Sequence, residues 1–224
     1  MPPKPRHRAL PLSRERIETT ALDLIERAGL AAFSTRKLAA ELGCEAMSIY
    51  HHFPSRGHLM DALLDRVIGT IALPSGSLPW LDRLRLASLA FRETALRHPE
   101  FFRFMGLHRL NTPAGLGLLE WMLRAFRDGG FDTEMTARLF RALSYYVVGA
   151  ALDETSGYAR GPSAVVPVPE DTVRRDHSLV AAVNPFFKAE HHAATFVLGL
   201  DMLLEGIARR APQLQHTGRH GTGQ

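Results

Sequence analysis

Apolar residues recur at every third or fourth position along nearly the whole of this chain, and strand-like alternation is scarce. A chain so patterned has to bury helix stripes against other helix stripes, which points to an all-α fold. Ser13 is a good N-cap, and Ile17, Ala21, Leu24, Ile25 and Ala28 behind it form one apolar face that Gly29 closes. Ser34 or Thr35 caps a second, short helix holding Leu38, Ala39 and Leu42, ended by Gly43. A third short helix over 45–52 stops before Phe53-Pro54, and Ser55 opens a fourth in which Leu59, Met60, Leu63, Leu64, Val67, Ile68 and Ile71 face inward. The breaker run PSGSLP at 74–79 marks the expected domain boundary. Beyond it the pattern predicts helices over 80–97, after Pro99, and over 113–128, 133–156 and 185–210. The connection 157–184 carries prolines at 162, 167 and 169 and is long for a compact domain, which marks it as functional or mobile. The expected organisation is a flexible basic arm over 1–12, a three-helix helix-turn-helix head over 13–73, a helical ligand-binding and dimerisation domain over 80–210, and a disordered tail over 211–224.

Composition narrows the setting. Among the 224 residues no apolar run reaches the roughly 20 that a membrane-spanning helix needs. The opening MPPKPRHRAL has no apolar stretch behind its basic residues, which argues against a secretory signal. The single Cys44 cannot form an internal disulfide, so a reducing cytoplasm is the expected location. The net charge of +4 is a weak signal for nucleic acid taken alone. Its placement says more: Lys4, Arg6, Arg8, Arg14 and Arg16 stand against one acid, Glu15, in a proline-punctuated opening. Such an arm either reaches along a DNA backbone or minor groove or is a solvated terminus.

The stretch 33–64, FSTRKLAAELGCEAMSIYHHFPSRGHLMDALL, is the most informative. Gly43 permits the left-handed turn that joins the two helices of a helix-turn-helix, and Leu38, Leu42, Ile49 and Phe53 lock the pair. The second helix then offers Met47, Ser48, Tyr50, His51 and His52, a set small enough for one major groove. Arg36 and Lys37 begin the first helix of the pair, where free N–H groups also attract phosphate, and Arg56 begins the next helix.

Ser34-Thr35-Arg36-Lys37-Leu38-Ala39, Leu42-Gly43, Ser48-Ile49-Tyr50-x-His52-Phe53 and a basic residue before a Leu-rich helix closely resemble the TetR family of bacterial repressors. Looser similarity to the ligand-binding domain of its tetracycline-repressor branch lies in Trp80, Arg97-His98-Pro99, Thr112-Pro113, Gly130-Phe131, Gly149, Glu154 and Phe196-x-x-Gly199-Leu200-Asp201. The resemblance implies that Arg36 reads a base, that Met47 and His51 face the groove, and that Thr35, Ser48, Tyr50 and Arg56 meet phosphate or backbone. Ala46-Met47 replaces a Gln-Pro pair of the tetracycline repressor, so a different operator is expected.

The predicted helices over 133–156 and 185–210 are apolar on two sides and must be buried on two sides. Two from each subunit would pair as a four-helix bundle, as the resemblance implies, with Leu143, Val147, Phe196, Leu200, Leu203 and Leu204 at the dimer interface. Phe91, Phe104, Met105, Trp121, Met122, Phe126 and Tyr145 either line an apolar ligand cavity or are ordinary core; His108 and Asn111 would add a polar group to such a cavity. His108 stands where the tetracycline repressor has a metal-holding His, but Ala72 and Ala87 replace other residues of that site, so no metal and no cofactor are expected.

Two rival classes fare worse. His51-His52 and Glu190-His191-His192 hint at a metallohydrolase, yet no H-E-x-x-H, G-x-S-x-G or phosphate loop is present. A non-specific architectural DNA protein calls for a stronger basic excess and no long apolar half. The expected function is therefore a non-enzymatic regulator that binds a palindromic operator as a homodimer. Release by a small apolar or aromatic effector is expected; activation of transcription is the alternative to repression.

Overall fold

The computed structural model describes residues 11–106, 108, 110–156 and 166–212. The basic arm through residue 10, residues 157–165 of the long connection and the tail from 213 lie outside the described residues. The described chain forms helices and turns with no strand among them, so the all-α reading stands. Its packing separates two units: the described residues up to Thr70 with His98–Leu116, and Ile71–Arg97 with those from Gly117 onward.

The first unit opens with α1 (Arg14–Ala28), α2 (Thr35–Leu42), α3 (Ala46–His52) and α4 (Arg56–Gly69). Each of α1, α2 and α4 starts on a serine whose hydroxyl accepts a backbone N–H three residues on: Ser13 from Arg16, Ser34 from Lys37, Ser55 from His58. Ser34, rather than Thr35, is the cap of α2. Ile17, Ile25, Leu38, Ile49, Phe53, Leu63 and Leu64 are sealed in this unit's core. The unit also takes in α6 (Pro99–Met105), which the expected boundary at 74–79 had assigned to the other domain. The physical reason is a cap supplied from far away in sequence. Glu26 of α1 accepts the backbone N–H groups of Glu100 at 3.0 Å and Phe101 at 3.1 Å, satisfying two of the orphan donors of α6. Asp65 of α4 likewise accepts from Ala114 at 2.6 Å, at the start of α7 (Pro113–Asp128).

The second unit contains α5 (Trp80–Arg97), most of α7, α8 (Thr133–Ser156), α9 (Glu170–Asp176), α10 (Ser178–Val183) and α11 (His192–Ala208). Helix α5 packs on α8 and α11, and α11 packs on α8. Arg92 of α5 forks onto Glu154 of α8, at 2.8 and 2.6 Å, and its guanidinium lies 5.2 Å from the ring centre of Phe196. Arg85 reaches Asp201 of α11 at 2.7 and 3.3 Å, and its hydrogen bond holds the Asp201 carboxyl below the usual carboxylate range. The Tyr146 hydroxyl donates to the Phe196 carbonyl at 2.7 Å, its proton held more tightly than usual chiefly by burial. Gly199 leaves room for that ring, because any Cβ there would collide with it.

Two expectations change here. The last helix was expected over 185–210, but α11 begins at His192, after 3-10 turns at Asn184–Phe187 and Ala189–His191. Phe186 and Phe187 are exposed, and the buried stripe of α11 starts only at Phe196, so no burial favours extending that helix back to 185. The stripe assigned to a dimer interface is consumed inside the subunit: Leu143, Val147, Phe196, Leu200 and Leu204 are buried within the chain itself, and Leu203 is half-buried. The second apolar sides stay open, with Tyr145 at 70%, Leu198 at 62% and Met202 at 64% exposure. A doubly apolar helix does not reveal which side faces its own core, and the heavier stripe went inward.

Candidate nucleic-acid interface

Helices α2 and α3 are joined by a tight closure. Gly43 adopts φ 69°, ψ 35°, its N–H reaches the Ala40 carbonyl at 3.2 Å, and the Cys44 N–H reaches Ala39 at 3.0 Å. This pair of bonds is the Schellman arrangement, and the left-handed geometry is what glycine supplies. Ile49 and Phe53 anchor α3 from below. Its outward side presents Met47, at 63% exposure, with Tyr50 and His51 also exposed, at the three- and four-residue spacing that puts them on one face. Ser48 and His52 are half-buried at the edge of that face.

Around α3, Arg36 is exposed at the start of α2, while Thr35 is buried. Lys37 is exposed but its Nζ donates to the Ala32 carbonyl at 2.9 Å, so in the free chain it is turned toward its own backbone. Arg56 is exposed at the start of α4, its guanidinium 5.7 Å from the centre of the Phe33 ring. Arg14, which is exposed, and half-buried Arg16, both counted in the sequence with the basic opening, direct their guanidinium groups to the head's own backbone. Arg14 Nη1 donates to the His52 carbonyl at 2.6 Å, with its guanidinium 4.2 Å from the centre of the Phe53 ring. Arg16 Nη2 donates to the Leu42 carbonyl at 3.4 Å.

The residues expected around a ligand fall in both units. Phe104, Met105, His108 and Asn111 belong to the first, where His108 stacks on Phe104 with ring centres 3.9 Å apart and lies 3.9 Å from Asp61 Oδ1. Phe91, Trp121, Met122, Phe126 and Tyr145 belong to the second. There Phe126 is fully buried beside Phe131, Met122 is buried, Phe91 and Trp121 are half-buried, and Tyr145 is exposed. A polar cleft of about 440 Å³ in the first unit is lined by Arg14, Glu18, Asp61, Asp65, Arg66 and Thr112 among others, and by none of the expected ligand residues.

Residues 17–63 match the family described as "Bacterial regulatory proteins, tetR family", and residues 73–211 match "Tetracyclin repressor-like, C-terminal domain". The chain belongs to the tetR family. Within the tetR family it is 29% identical over 197 residues to the tetracycline repressor protein class A from transposon 1721 of Escherichia coli, covering 85% of this chain and 88% of that one. Its fold resembles that of ActR from Streptomyces coelicolor in complex with actinorhodin, at a TM-score of 0.73 and 25% identity, over 91% of this chain and 100% of the other. It also resembles a single-residue variant of TetR from Acinetobacter baumannii in complex with minocycline, at a TM-score of 0.66 and 26% identity, over 90% and 99% of the two chains. This tetR-family chain is thus a DNA-binding transcriptional regulator, and no helix among its described residues is long and apolar enough to cross a membrane.

For a tetR-family head, sequence reasoning overlooked the residues that fasten it: Glu26, Asp65, Arg14 and Arg16. The carboxylates leave no local signal, since their partners lie about 50 to 75 residues away. The arginines did leave one. A cation in the first turn of a helix opposes that helix's own dipole, so two of them in the first turn of α1 suggest service to some other helix end.

Proposed function

We propose that this tetR-family regulator acts in the cytoplasm as a repressor, binding a two-fold symmetric operator as a homodimer and leaving it when a small apolar or aromatic molecule binds the helical half. The outward face of α3, with Met47, Tyr50 and His51 exposed over a fully anchored Ile49, carries the DNA reading. Arg36 adds a bidentate donor for a base edge, and Arg56 a phosphate contact. One seven-residue reading helix spans too few base pairs for useful specificity, which favours a paired head. The open Tyr145, Leu198 and Met202 side of α8 and α11 supports the pairing surface. Ligand release is supported by the actinorhodin and minocycline complexes of similar proteins and by half-buried Phe91 and Trp121 in the second unit.

The test is a titration of the full chain against a duplex it selects from a random pool, with and without actinorhodin, minocycline and a panel of apolar aromatic compounds. An effector should lower duplex affinity roughly 5- to 150-fold, the range of typical couplings. A compound can do so only if it binds the DNA-incompetent state more tightly. If every compound that raises thermal stability leaves duplex affinity unchanged, release by ligand is wrong.

A further inference from the structure

The reading helix α3 is only seven residues long, and its N-cap residue Glu45 makes no side-chain capping bond. Burial holds it through Ile49 and Phe53. Its polar fastening sits at the other end, in Arg14. His52 is the last residue of α3, so its carbonyl has no partner within the helix. The 2.6 Å bond from Arg14 satisfies that carbonyl and places a positive charge at the negative end of the helix dipole. The same guanidinium lies over Phe53, the next residue, at 4.2 Å from the ring centre. Arg16 repeats the arrangement more loosely on Leu42, the last residue of α2. Both helices of the helix-turn-helix therefore have their C-terminal ends tied to the first turn of α1.

We propose that Arg14 is a positioning residue for sequence reading: it latches the end of α3 to α1, setting the angle at which Met47, Tyr50 and His51 meet base edges, and it touches no DNA itself. Arg16 is the weaker second tie. The latch deepens the DNA reading proposed above and rests on it. The two kinds of arginine in this head separate cleanly by physics. A phosphate contact adds affinity for all duplexes alike and steepens the salt dependence, whereas a positioning contact affects only the sequence that must be met at the right angle.

The experiment measures affinities of the full chain for the duplex it selects from a random pool and for a scrambled duplex of equal length, over a range of salt. The active fraction is fixed by stoichiometric titration, so a partly unfolded sample does not mimic weak binding. Arg14→Ala should reduce the ratio of selected to scrambled affinity roughly tenfold, the scale of one charge-assisted hydrogen bond, with the salt slope of the wild type. Arg56→Ala, the comparator, should lower both affinities alike and flatten the slope by about one. Arg14→Lys keeps the charge and one donor but loses the flat face over Phe53, and should fall between wild type and Ala in the ratio. It also serves where the Ala variant does not fold. A flattened slope in Arg14→Ala makes Arg14 a phosphate contact and overturns the latch, as does a wild-type ratio in both variants. A wild-type chain that enriches no duplex removes the DNA reading and the latch together.

Discussion

A guanidinium and a carboxylate largely withdrawn from water side by side hold best while both are present. Arg92 and Glu154 are such a pair, with side-chain exposures of 16% and 9% and two short hydrogen bonds between them. Arg92→Met should cost about 1–3 kcal/mol, because Glu154 is left without its partner in a largely withdrawn site, whereas Arg92→Met with Glu154→Leu should recover much of that loss. Denaturant unfolding of the two variants checks it, and equal losses would mean that the pair is not coupled. Glu154 was legible in the sequence as part of a family pattern, but its partner was not, since a separation of 62 positions leaves no periodic trace. Arg36 is the opposite case: exposed, at the start of a helix, and recognisable from its neighbours alone. Arg36→Ala should relax preference at one base pair per half-site, losing about 1–3 kcal/mol of discrimination there. A binding-site selection that returns an unchanged preference would remove Arg36 from the base contacts.

Helices were read correctly where a local device marks their ends. Ser13, Ser34 and Ser55 cap as their types suggest, and Gly43 closes α2 in the left-handed region. Where the limit is set by packing instead, the reading overshot, as it did in starting the last helix at 185 rather than His192. The seam between α8 and α11 is similar: Gly199 looks like a weak point in a helix, but it makes room for Tyr146, whose hydroxyl reaches the Phe196 carbonyl. Gly199→Ala should therefore destabilise by about 1–3 kcal/mol through overpacking, although alanine is the better helix former. Pairing it with Tyr146→Leu should restore stability, and a thermal melt in which Gly199→Ala is neutral or stabilising would contradict the close approach.

At the scale of the whole molecule the fold class and the helix-turn-helix were visible in the sequence, while periodicity alone did not tell which side of α8 and α11 faces the chain's own core, where Leu143, Val147, Phe196, Leu200 and Leu204 lie. Leu200 is fully buried in its own chain and Leu198 is open. Leu200→Glu should then abolish folding, whereas Leu198→Glu or Met202→Glu should give a folded monomer by circular dichroism and light scattering. A soluble dimer from both surface variants would move the interface elsewhere. Two copies of α3 are proposed to read one symmetric sequence. Selection from a random duplex pool by the wild-type chain tests it most directly. The expected result is enrichment of a two-fold symmetric site whose half-sites lie about one helical turn, or a multiple of it, apart. A pool that emerges without enrichment, or with a single unsymmetrical half-site bound as tightly as any longer sequence, would contradict it.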